Sequence, residues 1–137
     1  MIVLDTNVIS EALSPSPSDA LMDWLAHQDA EEMRLSAITV AEIAYGIALL
    51  PEGARRTALA RAWAELQDSW RDRILVVGAL EAEAASAFLA LRRRQGRPVA
   101  LGDALIAGTC LAHEHALATR NTRDFDGSGL HVVNPWG

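Results

Sequence analysis

Met1-Ile2-Val3-Leu4-Asp5 opens the chain with four apolar residues and then a carboxylate. A run this short and apolar predicts a buried strand that delivers its acid to the strand's C-terminal end. In open α/β sheets ligands bind at that end, so Asp5 is the first candidate site residue. Two more acids, Glu42 and Asp103, lie inside otherwise apolar helical stretches. Carboxylates gathered with little neutralising charge point to a divalent cation, and such a centre suits cleavage of phosphodiesters.

Outward from that strand, helix and strand signals alternate. Residues 7–13 predict a short helix, stopped by Ser14-Pro15-Ser16-Pro17. Ser18 caps a second helix, with Asp19 in its first turn and Leu21, Trp24 and Leu25 along it. Residues 33–36 read as a strand, 38–50 as a helix ended by Pro51, and 54–70 as a long amphipathic helix. A strand is expected at 74–77 and a helix at 81–95, closed by Gly96 and Pro98. A further helix at 102–115 leads to strands at 116–119 and 130–133. Strands separated by helices predict an α/β fold, a mostly parallel central sheet flanked by helices on both faces. With no linker, repeat or low-complexity segment, one domain spanning 1–137 is expected.

Composition bounds the function. The 137 residues are 50% hydrophobic, enough to bury a core. A single cysteine, Cys110, excludes an internal disulfide framework and suits a reducing cytoplasm. No apolar run reaches the ~18 residues of a membrane span, and no basic segment precedes Ile2 as a secretion signal would require. The net charge of −6 is a poor global match for nucleic acid, but its distribution is uneven. Every fixed cation is an arginine, and all but Arg34 cluster at 55–61, 71–73, 92–97 and 120–123. Such clusters either hold phosphates bidentately or are solvated helix ends.

Each acid has a structural competitor. Asp5 precedes a helix, where Asp is a preferred N-cap, and Asp103 follows Gly102 in a similar position. On a helix Glu42 shares a face with Ile38, Tyr45 and Leu49, a stripe expected to face the core. An ionised glutamate buried there requires an arginine or an ion as partner. Histidines offer no zinc site: His27 and His131 are isolated, while His113 and His115 point to different sides of a helix. Phosphate loops and nucleophile elbows are absent, and Cys110 lies in an apolar helix where a thiol is inert. A phosphoacceptor receiver would need a late lysine, and a dehalogenase-type phosphatase a second acid at position 7. The chain has neither.

Together these segments resemble a family. Met1-Ile2-Val3-Leu4-Asp5-Thr6-Asn7-Val8-Ile9-Ser10 is similar to the first strand and turn of the PIN-domain ribonucleases, particularly VapC and FitB toxins. Leu35-Ser36-Ala37-Ile38-Thr39-Val40-Ala41-Glu42-Ile43 resembles their second motif, and Gly102-Asp103-Ala104-Leu105-Ile106-Ala107 the third. Leu117-Ala118-Thr119-Arg120-Asn121-Thr122-Arg123-Asp124-Phe125 resembles the fourth, and Asn134-Pro135-Trp136 is like the ending of the FitB branch.

The resemblance implies a Mg²⁺- or Mn²⁺-dependent endoribonuclease, the toxin of a toxin–antitoxin pair. Asp5, Glu42 and Asp103 match its metal-holding acids, and Thr6, Asn7, Thr119 and Arg120 match polar positions expected to face substrate. Asn121 departs from the family, where FitB-like members can carry aspartate, and Asp124 is the neighbour able to replace it. Implied partners are RNA, a second copy of the chain, and a DNA-binding antitoxin of VapB or FitA type in a higher oligomer. The alternative is a catalytically silent PIN domain kept as an antitoxin-binding scaffold. Trp63 and Trp70, with Leu59 and Leu66, are expected to be exposed and to supply an interface.

Overall fold

The computed structural model describes all residues, Met1–Gly137. Its centre is the opening run: β1 (Ile2–Leu4) lies between β2 (Met33–Ser36) and β4 (Ala116–Ala118). β3 (Ile74–Leu75) and β5 (Val132–Val133) form the edges, giving the order β3-β2-β1-β4-β5 with every pairing parallel. Parallel strands need crossovers, and six helices supply them: α1 (Thr6–Ala12), α2 (Asp19–Ala26), α3 (Ala37–Ala48), α4 (Ala54–Ser69), α5 (Ala79–Arg94) and α6 (Leu101–His113). Both edge strands are shorter than the sequence predicts. Val76 and Val77 leave the sheet, as does Leu130, because an edge offers a partner on one side only, while the His131 carbonyl still accepts the Leu117 N–H at 2.9 Å.

Side-chain alternation sorts the core into two layers. Leu4, Met33, Leu35 and Ala118 face α1 to α4, where Val8, Leu21, Ile43, Ile47 and Trp63 complete one cluster. Val3 and Leu117 face the other way, onto Phe88, Ile106, Ala107 and Phe125. α5 and α6 touch backbone to backbone at Gly108, where a Cβ would lie 2.4 Å from the Ala85 nitrogen. α6 then stops at His113 because Glu114 turns left-handed (φ 56), so His115 lies beyond the helix rather than in it.

Two expectations are corrected here. Trp63 is buried at 5% exposure, and Leu59, Leu66 and Trp70 pack partly buried against the same cluster, so these residues are core rather than interface. The exposed large apolar side chains are instead Tyr45, Leu49, Val76, Leu80 and Leu101, together with Met1 and Met22. On α3 the core face is Thr39, Ile43 and Ile47, which turns Glu42, Tyr45 and Leu49 outward. The helix is apolar on nearly every side, so spacing alone assigned the wrong stripe. No helix is long and apolar enough to cross a membrane.

Candidate metal centre

Asp5 ends β1 at the point where the chain leaves to β2 on one side and β4 on the other, the switch point at which open α/β sheets bind ligands. Its carboxylate does two jobs. Oδ1 accepts the Thr6 N–H at 2.8 Å and so caps α1, the structural role that competes with metal binding at this position. Oδ2 accepts the Thr119 hydroxyl at 2.7 Å and the Asn7 amide at 3.3 Å. Thr119 in turn accepts the Asn121 N–H, and Asn7 accepts the Arg120 N–H, so the end of β4 is tied to the first acid.

Glu42 reaches the same place from α3. Its Oε1 accepts the Thr6 hydroxyl at 2.8 Å, and Thr6 accepts from the buried Thr39 hydroxyl at 3.0 Å. Its Oε2 lies 3.4 Å from where a Cβ on Gly102 would stand, beside the start of α6 and next to Asp103. Glu42 is exposed, so burial does not explain it. Its neighbours do. Asp103 sits in the first turn of α6, but the cap position is Ala100, so Asp103 does not cap the helix. Its half-buried carboxylate makes no hydrogen bond within the chain.

Electrostatics binds these positions into one site. Asp103 is pushed up to about 6, first by burial and then by the charges of Asp5, Glu42 and Asp124. Asp5 is also raised, by burial above all and then by Glu42 and Asp124, against the lowering pull of the Thr119 and Thr6 hydrogen bonds. By geometry Thr6 joins Asp5 to Glu42, whose other oxygen lies beside Gly102 and Asp103, while Asp124 is linked to them through its charge alone. Asn121 is exposed and its side chain makes no hydrogen bond, while Asp124, one turn on, is half-buried. None of these acids forms an ion pair: the salt bridges of the chain are Met1–Glu32, Arg71–Asp68, His113–Glu81 and Arg120–Glu11.

The set fits a hard divalent cation. Its donors are oxygen only, and one of them is a half-buried carboxylate without a partner. No three carboxylate, imidazole or thiol groups converge tightly enough to clasp one ion between them. Mg²⁺ keeps several waters and needs only one or two direct carboxylates, so a tight clasp is not required for it.

The polar positions divide. Thr6 and Asn7 are half-buried around the acids, but Thr119 is completely buried. It therefore orients Asp5 instead of facing a substrate, which corrects the expectation for this residue. Arg120 stands at the rim, its guanidinium 4.0 Å over the Trp136 ring and 3.0 Å from Glu11. Sequence reading missed the network behind it. Glu11 also accepts from Trp136 Nε1 and from the Ser18 hydroxyl and N–H, and the indole donor leads in holding its carboxyl down at about 2. No local spacing links positions 11, 18, 120 and 136. Cys110, by contrast, is fully buried, and that burial pushes its thiol up to about 12.

A central parallel sheet with acids after β1, on α3, at the start of α6 and in the turn after β4 defines a class, and this chain belongs to the PIN-domain family, whose model matches residues 2–127. Within it, the chain is similar to the VapC ribonuclease Y4jK of Sinorhizobium fredii, 39% identical over 99% of this chain and 98% of the relative. The toxin FitB of Neisseria gonorrhoeae is 37% identical, with 99% of each chain covered. A solved FitAcB complex from the same organism superposes with a TM-score of 0.92, at 36% identity and 99% coverage of both chains. A FitAB complex on an IR36 DNA fragment gives 0.93 at 36% identity, covering 100% of this chain and 96% of the other.

Proposed function

We propose that the protein is a Mg²⁺- or Mn²⁺-dependent endoribonuclease, the toxin of a toxin–antitoxin pair. One observation carries the reading: Thr6 ties Asp5 and Glu42 together at the sheet's switch point beside the start of α6, and no cationic side chain pairs with Asp5, Glu42, Asp103 or Asp124. Asp5 and Asp103 would be direct ligands. Glu42 would hold a second ion or orient the attacking water, and Asp124 would serve as the fourth acid where Asn121 departs from the family. When bound, the cation would acidify water and neutralise charge building on the phosphate.

The chain's own residues prepare that chemistry. Thr119, Asn7 and the Thr6 N–H fix both oxygens of Asp5, so the ligand is pre-oriented before any ion arrives. Thr6 holds Glu42 in the same way. Arg120, pinned on Trp136, offers a preset guanidinium to an RNA phosphate at the rim.

The partner reading draws on relatives whose solved structures are complexes with FitA. A half-apolar groove leaves Thr6 and Glu42 between α1, α3 and α4, past Ile43, Ile47, Arg55 and Leu59, with a volume of about 240 Å³. An antitoxin segment lying there would block the acids. A homodimer is part of the same proposal.

Cleavage of a single-stranded RNA with added Mg²⁺ tests the function. Wild type should cleave and EDTA should abolish it. Asp5→Asn should lose cleavage by about a hundredfold or more while keeping the fold, since asparagine also caps a helix. Undiminished cleavage by Asp5→Asn or in EDTA would sink the reading. Tight Mg²⁺ binding without any cleavage would favour the silent scaffold.

A further inference from the structure

Arg92 on α5 is 2% exposed, yet no carboxylate pairs with it. An unpaired guanidinium is costly to bury unless its donors are well used. Two of the three hydrogen bonds that Arg92 makes go to one short segment. Nη2 donates to the Arg123 carbonyl at 3.1 Å, and Nη1 donates to the Asp126 carbonyl at 3.0 Å and to Gln95 Oε1 at 3.1 Å. Nε has no partner at all. Those backbone oxygens belong to the 3-10 turn Thr122–Phe125 and its cap, where a cation also meets the negative end of the peptide dipoles.

One helical turn back on α5, Phe88 lies on the same face and stacks on Phe125 with centroids 5.9 Å apart. Phe88 and Arg92 therefore clasp the turn from one side, by packing and by a forked donor. On its other side the turn grows from Thr119, which holds Asp5, and it carries Asp124. The fixed length from Thr119 to the clasped carbonyls determines where Asp124 stands.

We propose that Arg92 is a positioning residue: its buried guanidinium fixes the turn Thr122–Phe125 so that Asp124 stands as the fourth carboxylate of the acidic site. This rests on the metal-centre reading above. The electrostatic influence of Asp124 on both Asp5 and Asp103 agrees with that placement.

The test is a double-mutant cycle on Mg²⁺ affinity by calorimetry, using wild type, Arg92→Met, Asp124→Asn and the double variant of the full chain. Hydrogen exchange over residues 121–128 is followed alongside in metal-free protein. Arg92→Met should speed exchange in that segment and weaken Mg²⁺ binding about tenfold, the scale expected of groups that orient ligands. Adding it to Asp124→Asn should weaken binding no further, because both act through one carboxylate. Arg92→Lys keeps the charge but cannot bridge both carbonyls, so it should reproduce most of the loss and serve where the methionine variant does not fold. Faster exchange with unchanged affinity, or losses that add in the double variant, would overturn the proposal while leaving the metal centre standing. Wild type that binds no Mg²⁺ would instead overturn the metal-centre reading, and this inference with it.

Discussion

Asp103 ties the stability of the metal-free chain to pH, and on the proposed function it would also tie metal binding to pH. Its carboxyl stands at about 6 against the usual 3.8, so the folded metal-free chain holds the proton more tightly than the unfolded one. The stabilisation is complete below the usual value and is lost as pH rises through about 6. A shift of this size corresponds to roughly 3 kcal/mol at most, and the half-open site reduces it to about 1 kcal/mol. Metal-free Asp103→Asn should thus melt a few degrees above wild type near pH 8, with the difference closing toward pH 4. Thermal melts in EDTA across that range check it, and a variant less stable than wild type at pH 8 would show that the carboxylate is structural. Asp5 was legible because an acid that ends an apolar strand stands where α/β sheets bind their ligands. Glu42 was found by a mistaken argument, since the burial inferred for it belongs to Thr39, Ile43 and Ile47 one face away.

At the level of elements, strand and helix order could be read from apolar runs and from Pro and Gly stops, because those signals are local. The contact between α5 and α6 could not, since nothing near Gly108 announces that the Ala85 backbone lies against it. Gly108→Ala puts a magnitude on this contact. A helical alanine gains about 1 kcal/mol over glycine, whereas a Cβ overlapping backbone at 2.4 Å forces the helices apart at about 1–3 kcal/mol or more. Overlap should win, lowering the denaturant midpoint, and an unchanged or higher midpoint would contradict the packing described. The aromatic residues were misread for the opposite reason. Trp63 and Trp70 lie on and just after a helix whose charged residues suggest a surface, yet that helix covers the first core layer. Arg92, inside a run of arginines, gave no sign that it alone turns inward.

For the whole molecule, the fold holds unpaired acids near its switch point, and the proposed function would place a cation among them. An ion that binds only the folded state must then stabilise it in proportion to the logarithm of its concentration once the site fills. Ionisation of Asp103 ties the effect to pH, so it should be large near pH 8 and shrink below the value of about 6 at which that group takes up a proton. The most direct check is the melting temperature as Mg²⁺ is titrated at constant ionic strength, in wild type and in Asp5→Asn/Asp103→Asn. The account predicts a progressive rise of several degrees in wild type at pH 8, little rise at pH 4.5, and none in the double variant. No rise in wild type, or an equal rise in both proteins, would contradict it.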